Sequence, residues 1–311
     1  MITHISDQVS AIRALKNAAP YIRMYKGKTF VVKAGGGVFA ETAMTRLLVE
    51  QLGILHNFGV RVVLVHGGGP QLTEVATALG VPTRMVAGRR VTDPQAIDVI
   101  AMVLNGLINT RVLAMCRDLG VDAVGISGVD AGLVRAHKRP PVALAANGEL
   151  IDFGYVGDID AVDTTVLTKL LDNGLMPVVS PLSADDSGTL LNINADTVAA
   201  AIGAALAAEK LILCTGAPGI LASLDDPRSL ISYTDLQGLK RLREEGRIAD
   251  GMLPKARAIE DAIRGGVRRV HVVSYHGPEG ILAEVFTNEG TGTLIVADVN
   301  ALTPAEQHST P

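Results

Sequence analysis

The sequence has few of the features that mark a nucleic-acid-binding protein. Of its 311 residues only 19% are charged and 3% aromatic, and the net charge is −4 with a pI near 6.0. No run of lysine and arginine is interleaved with aromatic residues, so the chain lacks the electrostatic footprint of a nucleic-acid-binding surface. We expect no nucleic-acid partner.

Cysteine and long apolar runs are also scarce. Cys116 and Cys214 lie in apolar contexts without a Cys or His partner at metal-ligand spacing, which predicts reduced, buried thiols. By inspection no apolar run reaches the roughly 18 residues of a membrane span. The amino terminus lacks the basic and apolar regions of a signal peptide. The sequence therefore predicts a cytoplasmic protein with no membrane partner.

Apolar residues, at 48%, and 33 glycines are abundant. After residue 27, strand-like stretches occur at 29–34, 61–66, 123–127, 176–179, 211–214, 270–273 and 293–297. Helix-like stretches alternate with them at 41–57, 71–79, 94–118, 194–208, 253–264 and 279–287. Such alternation predicts an α/β fold with right-handed βαβ crossovers and a mostly parallel sheet.

Four segments fall outside this alternation. Residues 5–24 carry apolar residues at helical spacing, with Ser6 or Asp7 as a cap and Pro20 kinking or ending the helix. This helix could pack on its own domain or serve as an oligomerisation arm. Residues 135–160 predict a hairpin excursion that could cover a ligand, residues 181–190 a loop at a domain boundary, and residues 298–311 a frayed tail.

Two glycine turns dominate the first half. The apolar strand at 62–65 runs into His66, Gly67, Gly68, Gly69 and Pro70, and the strand before it ends in Lys33 followed by glycines 35–37. Glycines at the carboxyl ends of parallel strands let backbone amides face an anion, and Lys33 adds a cation. A single turn of this kind would be an ordinary strand-to-helix connection, but two neighbouring ones predict a phosphate site.

Familiar motifs for such turns are missing. There is no Walker A sequence and no dinucleotide fingerprint. His-Gly-Gly-Gly could build the oxyanion hole of an esterase, but the required G-x-S-x-G nucleophile elbow is absent, and residues 125–128 have the wrong spacing.

Five segments together resemble the amino acid kinase family, and within it the members that phosphorylate N-acetylglutamate. They are Val32-Lys33-Ala34-Gly35-Gly36, Val65-His66-Gly67-Gly68-Gly69-Pro70-Gln71, Arg90-Val91-Thr92, Asn192-Ile193-Asn194-Ala195-Asp196-Thr197 and Met252-Leu253-Pro254-Lys255. The resemblance extends over residues 19–296. It implies a three-layer αβα sandwich with a leading oligomerisation helix at 1–27, an acyl-amino-acid-binding lobe at 28–183, a nucleotide-binding lobe at 184–297 and the tail at 298–311.

The resemblance also implies a reaction, in which ATP with Mg²⁺ phosphorylates the side-chain carboxylate of N-acetyl-L-glutamate in arginine biosynthesis. A carboxylate is already nucleophilic, so alignment and charge neutralisation suffice. The implied catalytic residues are Lys33, Asp196, Lys255, Gly36 and Gly68. The phosphates would hold the magnesium, without a protein metal site.

Binding residues follow from the same resemblance. The acid would contact Gly67, Gly68, Gly69, Arg90 and Asn192, and the nucleotide would contact Lys33, Gly35, Gly36, Thr215, Gly219 and Lys255. Simpler interpretations stay open, since Arg90 could be a surface cation, and Asn192 and Asp196 could merely cap a helix. A lysine between an apolar strand and glycines has little structural reason to be there, and Lys255 has the wrong charge for a helix start.

The chain departs from the family motifs at three places. Gly216 stands where an acid is usual, Val129 replaces a lysine, and Ser274-Tyr275-His276-Gly277 replaces Asp-Gly. Because of these changes, two alternatives stay open. The protein could be a kinase of another N-acylated amino acid, such as aminoadipate, or a catalytically weak arginine sensor.

The leading helix resembles that of arginine-inhibited members of the family. The resemblance implies a homodimer or homohexamer, with arginine bound between the helix and the carboxyl-terminal lobe at Tyr21, Glu284, Gly290 and Gly292. In such an arrangement the Glu284 carboxylate could meet the guanidinium.

Overall fold

The computed structural model describes residues 2–86, 89–143, 150–223, 225–226, 228–248, 252–287 and 290–302, with side chains from residue 12 onward except at Ala301. The strands are β1 Thr29–Ala34, β2 Arg61–His66, β3 Arg84–Val86, β4 Arg89–Val91, β5 Ala123–Ser127, β6 Val134–Lys138, β7 Val142–Ala143, β8 Leu150–Ile151, β9 Gly157–Val162, β10 Met176–Ser180, β11 Leu182–Ala184, β12 Leu190–Asn192, β13 Lys210–Thr215, β14 Tyr233–Asp235, β15 Arg269–Ser274 and β16 Thr293–Val296. The helices are α1 Ile2–Tyr25, α2 Thr42–Asn57, α3 Gly69–Ala78, α4 Pro94–Ala101, α5 Asn109–Asp118, α6 Thr165–Asp172, α7 Ala195–Ala205, α8 Leu236–Glu244, α9 Leu253–Arg264 and α10 Gly280–Phe286.

An eight-stranded sheet forms the middle layer, in the order β14-β16-β15-β13-β1-β2-β10-β5. Its pairs are parallel except β15 with β16. The central strands are apolar and β-branched because helices cover both of their faces. The predicted α/β class and mostly parallel sheet are confirmed.

Adjacent residues of β1 point to opposite faces and so enter two different cores. Val32 packs with α2 to α5 and α10 in one core, whereas Val31 packs with α6 to α9 in the other. The structure therefore has three layers, as the resemblance implies.

A second sheet, in the order β12-β11-β6-β9, corrects one prediction. The segment 181–190 is not a plain loop, because β11 pairs antiparallel with β12 after a tight turn at Asp185 and Gly188. The lobe boundary expected between 183 and 184 lies within β11. The antiparallel pair β6 and β9 confirms the hairpin excursion at 135–160, although residues 144–149 lie outside the described part.

The helix predicted at 94–118 is present but is not α-helical throughout. Residues Met102–Ile108 form a π-helical segment between α4 and α5. Within the described residues this continuous helix is the one candidate for a membrane span by length and composition, with a mean hydropathy of 1.7 in its most apolar stretch. That finding corrects the expectation drawn by inspection. Ile100, Leu104 and Val112 of this helix are buried in the core, and a core helix meets the same criterion.

The ends of the chain also differ from expectation. Helix α1 begins at Ile2, so Ser6 and Asp7 lie inside it, and it continues through Pro20 to Tyr25. In the predicted tail, Val299–Ala301 form a 3-10 turn, and residues 303–311 lie outside the described part. The short β14 and the following α8 were not predicted.

Candidate active site

The two glycine turns lie side by side at one edge of the sheet. Strands β1 and β2 pair in parallel, with Ala34 opposite His66, and the Gly67 amide donates to the Ala34 carbonyl at 2.8 Å. The turns also touch, since a Cβ atom on Gly36 would lie 2.9 Å from the Gly69 nitrogen. Gln71 Nε2 donates to the Gly36 carbonyl at 2.8 Å and fixes the first turn against the second.

Both turns open helical segments and so present unpaired backbone amides. Gly36 begins the 3-10 turn Gly36–Phe39, and Gly68 precedes the first residue of α3, Gly69. The first N–H groups of a helical segment have no carbonyl partner within it. Together with the helix dipole, these N–H groups make the edge suited to an anion.

Three charged side chains converge beside these turns. Asp196 Oδ1 lies 2.9 Å from Lys33 Nζ, and its Oδ2 accepts from Lys255 Nζ at 2.7 Å. Lys33 lies near the end of β1, Asp196 in the first turn of α7 and Lys255 in the first turn of α9. The Asn194 side chain caps α7 by accepting from the Asp196 amide at 2.8 Å, which fixes the start of that helix.

This cluster carries one more positive than negative charge. Lys33 and Asp196 are 6% and 4% exposed, so water screens their charges little. Burial lowers the pKa of Lys33 against the opposing effect of Asp196. Burial raises the pKa of Asp196, but Lys33 and Lys255 outweigh it and hold that pKa below its ordinary value. An ionised carboxylate between two ammonium groups leaves a net attraction for an anion.

A buried histidine supports the second turn. Asn109 Nδ2 lies 3.2 Å from His66 Nε2 and donates to the Val178 carbonyl at 3.0 Å. Because an amide nitrogen only donates, Nε2 accepts, and Nδ1 carries the proton that is donated to the Gly67 carbonyl at 3.2 Å. Burial lowers the pKa of His66 to about 4, so the ring is neutral and engaged at both nitrogens. His66 therefore orients the Gly67 peptide and is not free to act as a base.

The π-helical segment sets this arrangement. Leu104 and Ile108 cover Gly68 so closely that a Cβ atom there would overlap both side chains. The Asn109 side chain lies against Gly125, where a Cβ atom would overlap its amide oxygen. The absence of a side chain at Gly125 thus leaves the space in which Asn109 reaches His66. Packing against Leu104 and Ile108 therefore requires glycine at position 68.

The predicted acid-binding residues lie beyond the second turn. The Arg90 guanidinium donates to Thr73 Oγ1 at 2.8 Å and to Thr83 Oγ1 at 2.9 Å, and Thr73 lies one turn along α3 from Gly69. Asn192 Nδ2 donates to Thr92 Oγ1 at 3.3 Å, two residues from Arg90. Arg90 is therefore held against α3, and Asn192 against the segment that follows β4.

The predicted nucleotide-binding residues divide into two groups. Gly35 lies beside Lys33, since a Cβ there would be 3.7 Å from Lys33 Nζ. Thr215 instead donates to the Ala217 carbonyl at 2.8 Å and closes its own loop. Gly219 is buried, and a Cβ there would overlap Leu230 and Thr293. Packing alone explains Gly219, and its contacts give no support to a nucleotide role.

The predicted arginine-site residues also meet, but with partners that the sequence did not indicate. Glu284 Oε1 pairs with His271 Nδ1 at 2.6 Å, and its Oε2 accepts from the Thr291 and Gly292 amides at 2.6 and 3.0 Å. Burial raises the pKa of Glu284, but His271 and these amides lower it to about 2. Both oxygens of the Glu284 carboxylate are therefore engaged within the protein. Gly290 lies against Glu284, and Tyr21 packs on the adjoining core.

Some residues of the site escaped the sequence analysis. Gln71 was quoted within a motif without a role, and no local pattern could indicate Asn109, because its contact depends on the π-helical segment. Both predicted thiols are free and buried, as expected. In the described part of the chain, no group of three His, Cys, Asp or Glu side chains could hold a metal ion.

Known proteins resemble this chain along most of its length. It is 48% identical over 296 residues to the acetylglutamate kinase of Myxococcus xanthus, covering 94% of this chain and 96% of that protein. It is 42% identical over 282 residues to the acetylglutamate kinase of Symbiobacterium thermophilum, covering 91% and 96%.

Solved structures share the fold. One is N-acetylglutamate synthase from Neisseria gonorrhoeae complexed with coenzyme A and N-acetyl-glutamate, with a TM-score of 0.80 and 28% identity. The match covers 93% of this chain and 64% of the synthase chain. The same synthase complexed with coenzyme A and L-arginine matches with a TM-score of 0.79 and 27% identity, over 92% of this chain and 65% of that one. Carbamate kinase from Giardia lamblia, at 17% identity and a TM-score of 0.62 over 88% of this chain and 99% of that one, shares the fold alone. Because the model of the amino acid kinase family matches residues 28–274, the chain belongs to the amino acid kinase family.

Proposed function

We propose that the protein transfers the γ-phosphoryl group of ATP to the side-chain carboxylate of N-acetyl-L-glutamate, giving N-acetyl-L-glutamyl 5-phosphate in arginine biosynthesis. The observation that carries the proposal is the cluster in which Asp196 binds both Lys33 and Lys255 beside two turns with unpaired amides. The names of relatives with up to 48% identity agree with this activity.

The reaction needs no general base, because the attacking carboxylate is ionised at neutral pH. This requirement fits a site in which His66 is neutral and hydrogen-bonded at both nitrogens. Lys33 would contact the transferred phosphoryl group from the side of the acid, and Lys255 from the side of the nucleotide. Asp196 would position both ammonium groups, and the Gly36 and Gly68 amides would donate to the charge that develops in the transition state.

The nucleotide proposed is ATP with Mg²⁺. The excess positive charge and the unpaired amides fit a triphosphate. Both oxygens of Asp196 lie against ammonium groups, so magnesium would be held by phosphate oxygens, where it neutralises their charge. The protein groups then align the phosphoryl group with the acid and exclude water.

Arg90 and Asn192 are proposed to hold the other end of the acid. A guanidinium fits a carboxylate with two parallel hydrogen bonds, and Arg90 would exchange its two threonine partners for the α-carboxylate. Asn192 would bond the acylamide. The distance from Arg90 to the glycine turns then selects the length of the acid, and aminoadipate, longer by one methylene, is the competing substrate.

A hydroxylamine trap for acyl phosphates tests the activity. With ATP and Mg²⁺, N-acetylglutamate should give the hydroxamate. Lys33→Ala should lower kcat by a factor of about 10² to 10³ with much smaller changes in KM. Lys240→Ala is the matched control, because Lys240 is an exposed lysine paired with Glu244 on α8.

The other functions predict different results. Product from an N-acylated aminoadipate but not from N-acetylglutamate would refute the substrate. Binding of arginine without any ATP-dependent product would indicate a sensor, and hydrolysis of an activated ester without ATP would indicate an esterase.

Inhibition by arginine is proposed at the joint between α1 and α10. Tyr25 of α1 is buried and lies edge-on to Phe30 with ring centroids 5.2 Å apart, and the Lys210 ammonium lies over the Tyr25 ring. Lys210 Nζ also lies 2.9 Å from His271 Nε2, whose ring binds Glu284. A guanidinium at Glu284 would have to replace one of the amides that it now binds. The structure of the similar synthase with L-arginine supports arginine as the ligand by analogy only.

The amino-terminal part of α1 is proposed to join protomers into a homodimer or homohexamer. Ile12 and Leu15 are 57% and 58% exposed, although the far end of α1 packs on its own domain. Deleting residues 1–24 should give smaller oligomers that keep catalysis and lose arginine inhibition. A truncated enzyme of unchanged size and sensitivity would refute both roles. Free thiols at Cys116 and Cys214 agree with a cytoplasmic location.

A further inference from the structure

Two departures from the family motifs, Gly216 and Tyr275, meet in space. Strands β13 and β15 pair in parallel up to Thr215 opposite Ser274, and the Tyr275 amide donates to the Thr215 carbonyl at 2.9 Å. Residues 216 and 275 therefore leave the sheet together. A Cβ atom on Gly216 would lie 3.3 Å from the Tyr275 hydroxyl oxygen, so the missing side chain at 216 leaves room for that hydroxyl.

The same hydroxyl reaches the first glycine turn. A Cβ atom on Gly37 would overlap Tyr275 Oη and lie 3.1 Å from Cζ of its ring. The half-buried ring thus extends from the loop after β13 to the turn after β1. His276 packs on it with ring centroids 4.4 Å apart and helps to fix its direction.

The hydroxyl proton has no acceptor within the described structure. The hydrogen bond that Tyr275 makes in this part of the chain comes from its backbone amide. Gly37, next to its hydroxyl, lies in the 3-10 turn that Gly36 opens, and the amides of these two glycines can only donate. The Lys33 ammonium group, which lies beside Gly35 at the start of the same turn, is also a donor. A half-buried hydroxyl whose neighbours are donors is free to donate to water or to a ligand, and the positive charge and amides nearby favour a ligand with negative charge.

We propose that Tyr275 is an additional nucleotide-binding residue whose hydroxyl donates to a phosphate oxygen of ATP, and that Gly216 permits this contact. A side chain at position 216 would crowd the hydroxyl, whereas glycine leaves room for it. The inference rests on the proposed function, because it takes ATP as the ligand of this site.

Tyr275→Phe tests the contact, because it removes the hydroxyl and keeps the ring. Binding of ATP to the full-length protein, measured by calorimetry, should weaken about tenfold, the scale of one hydrogen bond to a charged group. Binding of adenosine and the KM for N-acetylglutamate should stay within twofold of the wild type. Tyr233→Phe, on the edge strand β14, is the matched control and should bind ATP like the wild type.

Equal ATP affinities of Tyr275→Phe and the wild type would overturn the proposal. An equal loss for adenosine and ATP would also overturn it, because the hydroxyl would then contact the nucleoside. If the wild type gives no hydroxamate but binds ATP, the proposed reaction fails while this contact remains measurable.

A second variant tests the role of Gly216. Gly216→Ala should weaken ATP binding when Tyr275 is present, since the hydroxyl must move by a few tenths of an ångström. In the Tyr275→Phe background the nearest ring atom to the new methyl group is 3.7 Å away, an ordinary contact, so the same substitution should cost little further affinity. Additive losses in the double variant would overturn the pairing of the two positions.

Discussion

Asp196→Asn tests how the charged cluster works. The amide keeps the shape of the side chain but removes the negative charge that lies within 2.9 Å of both ammonium groups. Removing one partner of a buried ion pair costs about 3–5 kcal/mol of stability. Because the Lys255 side chain is 19% exposed and can reach water, we expect a loss of about 3 kcal/mol at pH 7, measured by urea denaturation.

Asp196→Asn should lower kcat without raising the KM for ATP. Without Asp196 the two ammonium groups repel each other and no longer hold their positions, so kcat should fall by a factor of about 10² to 10³. The triphosphate supplies the missing negative charge, so the KM for ATP should not rise. A kcat within about threefold of the wild type, by a coupled ADP assay, would refute the positioning role.

The stability difference should also depend on pH. The pKa of Asp196 is lower in the folded state, so its contribution is fully present above the unfolded value of about 3.9 and is lost as pH falls through the folded pKa. Wild type and Asp196→Asn should therefore converge in unfolding free energy as pH falls below about 4. A constant difference down to the lowest measurable pH would contradict the assignment of the charge.

Three further substitutions test other parts of the account. Arg90→Ala should raise the KM for N-acetylglutamate more than tenfold with little change in kcat, and unchanged kinetics would remove Arg90 from the site. Gly68→Ala should destabilise the protein by about 1–3 kcal/mol, because the new Cβ would overlap Leu104 and Ile108, and denaturation at wild-type urea concentration would refute this packing. Glu284→Gln should remove a contribution that is present above the unfolded pKa of about 4.3 and lost as pH falls toward about 2, so acid titrations of the two proteins should converge in that window.

The sheet edge with the two glycine turns could be predicted because its signals are local in sequence. Apolar strands ending in glycine indicated Lys33 and both turns, and neighbouring parallel strands bring their ends to the same edge. The resemblance supplied Asp196 and Lys255, which spacing alone left as a helix cap and an unexplained lysine. In the structure the Asp196 carboxylate contacts both Lys33 and Lys255.

Other features depend on contacts between distant segments and left no local signal. The π-helical segment has the same apolar composition as an α-helix, so the contact of Asn109 with His66 could not be foreseen. Gly219 resembled a ligand-binding glycine, yet the approach of Leu230 and Thr293 explains it. The short strands β11 and β12 flank a polar stretch typical of a loop. They are stabilised because they pair with each other and because β11 also pairs with β6.

A crystal structure with N-acetylglutamate and a nonhydrolysable ATP analogue tests the central claim most directly. The account predicts the γ-phosphate within hydrogen-bond distance of Lys33 Nζ and of the Gly36 and Gly68 amides, with the side-chain carboxylate of the acid facing it. A nucleotide bound elsewhere, with Lys33 and Lys255 still contacting Asp196 alone, would contradict the account.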